Sequence, residues 1–231
     1  MFTQPNKNGA LITGSARRLG RAMAIFLATK GYDIAVHYNS SKEHALQLKD
    51  IIENLCNQKC ILIQANLTKF ESLSYVINET FQFMPYCNCL INNASVFYPQ
   101  TFINTTVETF TQNYNLHVQA PLFLTQYFAQ KCSTIGHVIN MIDEMVIRNP
   151  IKYFTYTLSK KSLSDFTKAA AGVLSPQIKV NAIGPRIISN DFLNNIDYYN
   201  IMNNKEVVEV LIKLEQLLDV NNNYTGTINF V

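Results

Sequence analysis

Along the chain, short runs that are apolar at nearly every position alternate with longer stretches in which apolar residues recur every three or four. The short runs are GALIT (9–13), YDIAVHY (32–38), KCILIQA (59–65), CNCLINN (87–93), GHVINMI (136–142), IKVNAIG (178–184) and TGTINFV (225–231). Each is too short for a helix, and an uninterrupted apolar run suits a parallel strand covered on both faces. After the second run, Ala45, Leu48, Ile51, Ile52 and Leu55 fall on one helical stripe; after the third, Leu73, Val76, Ile77, Thr80 and Phe81 do the same. Further helices are predicted over 108–132 and 152–175. Strand–helix alternation from end to end predicts an α/β, doubly wound parallel sheet of about seven strands with helices on both faces. No composition shift or linker divides the chain, so one domain over 1–231 is expected. The stretch IISNDFLNNIDYYNIMNN (187–204) follows neither period and reads as a loop near the site.

Composition narrows the function classes. The chain has 231 residues with a net charge of +3, and its basic residues are scattered rather than striped. Neither a nucleic-acid arm nor a polybasic membrane patch is present. No apolar run reaches the roughly 20 residues of a membrane span. The opening MFTQPNKNGALIT lacks the charged head and long apolar centre of a secretory leader. The five cysteines, Cys56, Cys60, Cys87, Cys89 and Cys132, show no paired metal-ligand spacing, so reduced thiols, no metal and a cytoplasmic protein are expected.

The first strand ends in LITGSARRLGRAM, with Thr13, Gly14 and Gly20 between strand and helix. Gly14 permits a tight turn, and the helix that follows presents free backbone N–H groups to a phosphate. In this context the turn marks a Rossmann-type dinucleotide site rather than an ordinary strand–helix loop. The second strand ends in His37, Tyr38, Asn39, Ser40, Ser41 and Lys42, with no acid before Glu43, and Arg17 belongs to the same neighbourhood. A carboxylate there would favour ribose hydroxyls; hydroxyls and cations favour a 2′-phosphate, so the expected cofactor is NADPH/NADP. For Lys42 alone a solvated basic loop stays open as the alternative.

Tyr156 and Lys160 stand four residues apart on one helical face, after a predicted strand. A lysine one turn away favours the phenolate of a tyrosine whose ordinary pKa is about 10. Together these pieces resemble the short-chain dehydrogenase/reductase family over nearly the whole chain. TGSARRLG (13–20), NNAS (92–95), the set Asp143–Tyr156–Lys160 and VNAIGP (180–185) fall in family order. Within it the chain resembles the pteridine and dihydromonapterin reductases. Arg18 replaces the middle glycine of the first turn, HYNSS follows the second strand, NNASVFYP carries Ser95 and Phe97, and NMIDEM puts Asp143 where a catalytic Ser is usual.

The resemblance implies reduction of a dihydropterin (dihydromonapterin, dihydrobiopterin or dihydrofolate) at a ring C=N bond, with Asp143, Tyr156 and Lys160 catalytic. It implies cofactor contacts from Arg18, Leu19, Asn66, Leu67, Asn92, Asn93, Ala94, Ser95 and Pro185, besides Gly14, Gly20, Tyr156 and Lys160. Substrate contacts are implied for Arg18, Ser95, Phe97, Asp143, Tyr156 and Arg186, with Phe97 stacking on the pterin. It also implies a homodimer or homotetramer paired through the helices at 108–132 and 152–175. A hydroxyl at position 143 would suit a ketone, whose oxygen gains negative charge; a carboxylate suits a nitrogen heterocycle that offers N–H groups. Asn66 stands where the family has an adenine-binding Asp, with an amide oxygen to accept from the adenine amine. His117 stands where it has a helix-kinking Asn, and Asn115 lies two residues off that register. Two alternatives stay open: a carbonyl reductase, and a binding protein that senses the cofactor without turnover.

Overall fold

The computed structural model describes residues 7–148, 151–186 and 204–231. Every apolar run becomes a strand: β1 (Asn8–Ile12), β2 (Tyr32–Tyr38), β3 (Cys60–Gln64), β4 (Cys87–Asn92), β5 (Gly136–Met141), β6 (Ile178–Gly184) and β7 (Ile228–Phe230). They form one sheet in the order β3-β2-β1-β4-β5-β6-β7, and each neighbouring pair is parallel. The helices are α1 (Arg18–Thr29), α2 (Lys42–Leu55), α3 (Glu71–Phe83), α4 (Val107–Tyr114), α5 (Ala120–Lys131), α6 (Met145–Arg148), α7 (Phe154–Leu174) and α8 (Lys205–Leu218). The doubly wound α/β architecture expected from the pattern is therefore present.

Strand alternation divides the interior into two cores. Ala10, Ile12, Ile34, Val36 and Ile91 face α1, α2 and α8 on one side. Leu11, Ala35, Leu90 and Val138 face α3, α5 and α7 on the other. Ala45, Leu48 and Ile52 of α2 and Leu73, Val76, Ile77 and Thr80 of α3 are buried as their spacing requires, whereas Leu55, at the end of its stripe, is 76% exposed.

One predicted helix is interrupted. Between α4 and α5, residues Asn115–Gln119 form a π turn in which the Ala120 N–H reaches the Asn115 carbonyl. Hydrophobic spacing does not announce a π turn, because one extra residue per turn shifts the stripe without erasing it. Of the loop expected over 187–204, residues 187–203 lie outside the described residues, and Asn204 caps α8 by accepting from the Val207 N–H. Among the described residues no helix is long and apolar enough to cross a membrane.

The order of the strands reverses at β1 and β4, and the crevice outside their carboxyl ends is where open parallel sheets bind ligands. The β1–α1 turn, the loop after β4, the β5 end with Asp143, the start of α7 and the β6 end all open onto that edge.

Candidate active site

The β1–α1 turn is clasped to the loop after β4. Thr13 Oγ1 accepts from the Asn93 and Ala94 N–H groups at 2.9 and 3.0 Å, and Asn93 Nδ2 donates to the Thr13 carbonyl at 2.8 Å. Gly14 has a φ of +64°, and a Cβ there would meet Ala94 Cα at 2.9 Å; a Cβ on Gly20 would meet Asn93 Nδ2 at 2.6 Å. Both glycines are required by close approach. Arg18, with a φ of +57°, adopts the left-handed conformation that the family's usual glycine takes without strain. Helix α1 begins with no capping side chain and no acid in its first turn. Its first N–H groups and positive end therefore fit an anion such as a dinucleotide phosphate.

His37 completes this turn in a way the sequence did not reveal. Its Nδ1 accepts from the Gly14 N–H at 3.0 Å, so Nε2 carries the hydrogen given to the Ala65 carbonyl at 3.1 Å. Burial pushes its pKa down to about 4. Both ring nitrogens are spent, so His37 shapes the turn rather than offering a nitrogen to a phosphate. Tyr38 is buried beside it, while Arg17, Asn39, Ser40 and Lys42 are exposed and Ser41 is partly so.

Lys160 and Tyr156 project from the first turns of α7, and Asp143 follows β5. The Tyr156 hydroxyl donates to Asp143 Oδ2 at 2.7 Å, and Asp143 Oδ1 accepts from the Met145 N–H at 2.8 Å. Lys160 Nζ donates to the Met141 carbonyl at 2.7 Å and stands 5.8 Å from the Tyr156 ring centroid. Burial, then the charge of Asp143 and its hydrogen bond, push the Tyr156 phenol well above the usual range. Burial pushes Lys160 down to about 8, against the opposing pull of Asp143. Burial and Asp143 thus act on Tyr156 against the pull toward a phenolate expected from Lys160. The carboxylate takes the phenol hydrogen and repels a phenolate, so Tyr156 is a protonated donor.

Phe97 reaches this centre from the loop after β4. Its ring lies edge-on to Tyr156 at 4.7 Å and stacks on Tyr153 at 4.1 Å and 13°. It is 46% exposed, so the stack covers one face and leaves apolar surface for a planar ligand. Tyr153 holds a φ of +91°, a left-handed conformation that costs a non-glycine residue about 1–3 kcal/mol. Nothing in the sequence announced it.

The π turn aims His117 between the two segments. Its Nε2 lies 3.2 Å from the Val96 N–H, which it accepts, and 3.0 Å from Ser95 Oγ; Nδ1 therefore donates to Ser159 Oγ at 2.9 Å. Ser159 in turn donates to the Tyr156 carbonyl. Burial and the nearby Lys160 push His117 well below its ordinary pKa, so it is neutral. His117 is thus a tie between the Phe97 loop and α7. Asn115 points elsewhere, donating to the Thr68 carbonyl.

Other predicted residues are placed less directly. Asn93 spends its amide on the first turn. Asn92 lies inside, donating to Asn140 Oδ1, so it is a strut in the core rather than a border of the cofactor. Asn66 Oδ1 is already accepting from the Thr68 N–H and hydroxyl, at 3.0 and 2.8 Å. The expectation that this oxygen accepts from an adenine amine is corrected: only its NH2 group is left for a base. The Leu67 side chain is buried in the core, leaving only its backbone to face a ligand, whereas Leu19 is half-buried at the start of α1. Pro185 and Arg186 sit where β6 leaves the sheet, Arg186 exposed and held by its N–H to the Val231 carbonyl.

The sequence profile described as short chain dehydrogenase matches residues 8–199. Pteridine reductase 1 of Leishmania tarentolae is 28% identical over 225 residues, covering 80% of this chain and 78% of its own. The hydroxynaphthalene reductase-like protein Arp2 of Metarhizium acridum is 30% identical over 186 residues, covering 79% of this chain and 68% of its own. Among solved structures, the alternative dihydrofolate reductase FolM of Brucella suis, in complex with NADP, superposes with a TM-score of 0.81 at 24% identity, over 97% of this chain and 93% of its own. Acetoin dehydrogenase YohF of Salmonella typhimurium reaches 0.86 at 21% identity, over 97% and 95%; both likenesses concern the fold. With the profile spanning most of its length, the chain belongs to the short chain dehydrogenase family, and is an oxidoreductase.

Proposed function

We propose that this enzyme reduces a dihydropterin at a ring C=N bond with NADPH. The observation that carries the reading is the Tyr156–Asp143 hydrogen bond, with Phe97 set edge-on to the same phenol. The relationship to a pteridine reductase supports it. NADPH, when bound, supplies the hydride. Arg17, Arg18, Ser40 and Ser41 would hold its phosphates over the turn that Gly14 makes, and Lys160 its ribose.

The chain's own residues manage the proton. Tyr156 is held protonated by Asp143 and gives its hydrogen to the ring nitrogen as that atom becomes basic, and solvent restores it. One hydride and one proton saturate the bond. Lys160 offsets the phenolate while it lasts. Asp143, released from the phenol, accepts a pterin N–H, which a serine hydroxyl at this position would do less well. Phe97 offers a flat ring to the heterocycle, with Ser95, Arg18 and Arg186 around it.

The relationship to hydroxynaphthalene reductase-like proteins favours a second reading, carbonyl reduction, in which the protonated Tyr156 donates to a ketone oxygen. A panel decides. NADPH oxidation by the purified enzyme is measured with dihydromonapterin, dihydrobiopterin, dihydrofolate and simple ketones. Turnover of the pterins supports the first reading; turnover of ketones alone overturns it. The exposed Phe102, Ile103, Val107 and Leu158 on and beside α4 and α7 suit pairing with a second copy, as the family resemblance implies.

A further inference from the structure

We propose that Gln100 is a positioning residue: by holding Tyr153 in its left-handed conformation, it sets the Phe97 ring beside Tyr156. The kinetic part of the test rests on the pterin reading, and the spectroscopic part does not.

Gln100 lies in the loop after β4, about fifty positions before the helix it serves. Its backbone carbonyl accepts from both the Tyr153 and the Phe154 N–H groups, at 2.9 and 2.8 Å. These are the first donors of α7, a helix that starts with no capping side chain, so the carbonyl of a distant loop does the work of a cap. Its side chain is equally engaged. Oε1 accepts from the hydroxyl of Thr155, a residue 2% exposed, at 2.9 Å. Nε2 donates to the Asn104 carbonyl at 2.9 Å and to Thr109 Oγ1 at 2.7 Å. Thr109 belongs to the capping box of α4. One residue therefore ties the Phe97 loop, the start of α4 and the start of α7.

Tyr153 is where that tie matters. A non-glycine residue keeps a left-handed conformation only when its surroundings over-determine it. Here they are the Gln100 carbonyl on its N–H and the Phe97 ring stacked on its side chain. Without the Gln100 side chain, the carbonyl loses its fixed direction and the buried Thr155 hydroxyl loses its acceptor. Tyr153 then relaxes, the stack opens, and Phe97 is no longer held edge-on to Tyr156.

The test uses Gln100→Ala and Tyr153→Gly, alone and combined, since glycine accepts the left-handed conformation without strain but carries no ring. Gln100→Ala should speed hydrogen exchange at the Tyr153 and Phe154 amides and weaken the near-ultraviolet dichroism of the Phe97–Tyr153 stack. It should raise the KM for dihydropterin about tenfold, while kcat and NADPH affinity stay within about twofold. In the Tyr153→Gly background, Gln100→Ala should change KM by less than about twofold, because coupled residues are not additive. Multiplying KM effects, or a parallel loss of NADPH affinity, would overturn the proposal, as would unchanged exchange and dichroism. If the native enzyme oxidises NADPH with no dihydropterin, the functional reading fails alone, and exchange and dichroism decide the role of Gln100. Should Gln100→Ala not fold, the isosteric Gln100→Glu, which keeps the acceptor for Thr155 and loses the donor to Asn104, is judged by the same measures.

Discussion

Tyr156 points its hydroxyl hydrogen at Asp143 across 2.7 Å, so the two side chains share one proton and cannot both be anions cheaply. Asp143 holds the phenol above its ordinary range both by charge and by hydrogen bond, added to the larger effect of burial. Asp143→Asn should therefore make Tyr156 ionise at lower pH. The check is tyrosinate absorbance, taken as the difference between Asp143→Asn and Asp143→Asn/Tyr156→Phe. That difference should rise at lower pH than the one between the native enzyme and Tyr156→Phe. Turnover of a dihydropterin should fall about 100-fold, within the usual worth of a positioned acid–base group. Undiminished turnover would remove Asp143 from the mechanism.

Lys160 gives a second pH signature, in stability. Its folded pKa is depressed to about 8 by burial, against an ordinary value of 10.5. Between those values the unfolded chain holds a proton that the folded chain has lost, so this group makes stability rise with pH from about 8 to 10.5. Below 8 the buried charge works against the fold at full strength. Lys160→Met should lack the rise, which is read by subtracting its urea-denaturation stability from that of the native enzyme at pH 7.5, 9 and 10.5. A difference that does not change with pH would show that Lys160 is solvated. The same variant should bind NADPH more weakly at pH 7, where the native lysine is charged.

The parallel strands, the helices on both faces and the pairing of Tyr156 with Lys160 were legible because each rests on a local period: apolar runs for β1 to β7, and a four-residue spacing on α7. What could not be read was how polar atoms divide their hydrogen bonds. His37, Asn66 and Asn93 were all marked as ligand-facing by their positions. Each proves to spend its acceptors or donors on neighbouring chain: His37 on Gly14 and Ala65, Asn66 on Thr68, Asn93 on Thr13 and Gly14. Those atoms fix the cradle. Tyr153 and Gln100 escaped notice for another reason. A left-handed backbone at a tyrosine and a cap donated from a distant loop have no local sequence signal.

Cofactor choice is testable at the end of β2. Asn39 and Ser40 are exposed there with no acid before Glu43, and Arg17 is exposed at the start of α1. Asn39→Asp places a carboxylate where a 2′-phosphate would lie. It should weaken NADPH at least about tenfold, equal to 1.4 kcal/mol of repulsion, and leave NADH unchanged or tighter. Fluorescence titration with each nucleotide checks it. Equal weakening of both would mean that this strand end does not face the ribose.

Acid should loosen the first turn. His37 is buried and neutral, and its folded pKa of about 4 lies below the ordinary 6.5. As pH falls through 6.5 the unfolded chain takes up a proton that folded His37 refuses, so stability drops progressively down to about pH 4. The gap corresponds to about 3 kcal/mol at full extent. Once the imidazole is protonated it becomes a donor on both nitrogens, and the Gly14 N–H loses its acceptor. The β1–α1 turn then opens where the dinucleotide would sit. His137, also pushed down to about 4, adds to the loss of stability but lies outside this turn. A His37→Gln variant separates them: its amide oxygen still accepts from Gly14 but does not titrate. It should keep NADPH affinity better than the native enzyme does as pH falls toward 4, where folded His37 is protonated, and unfold less readily between pH 6.5 and 4. Identical pH profiles for the two proteins would mean that the tie between His37 and Gly14 is not what acid breaks.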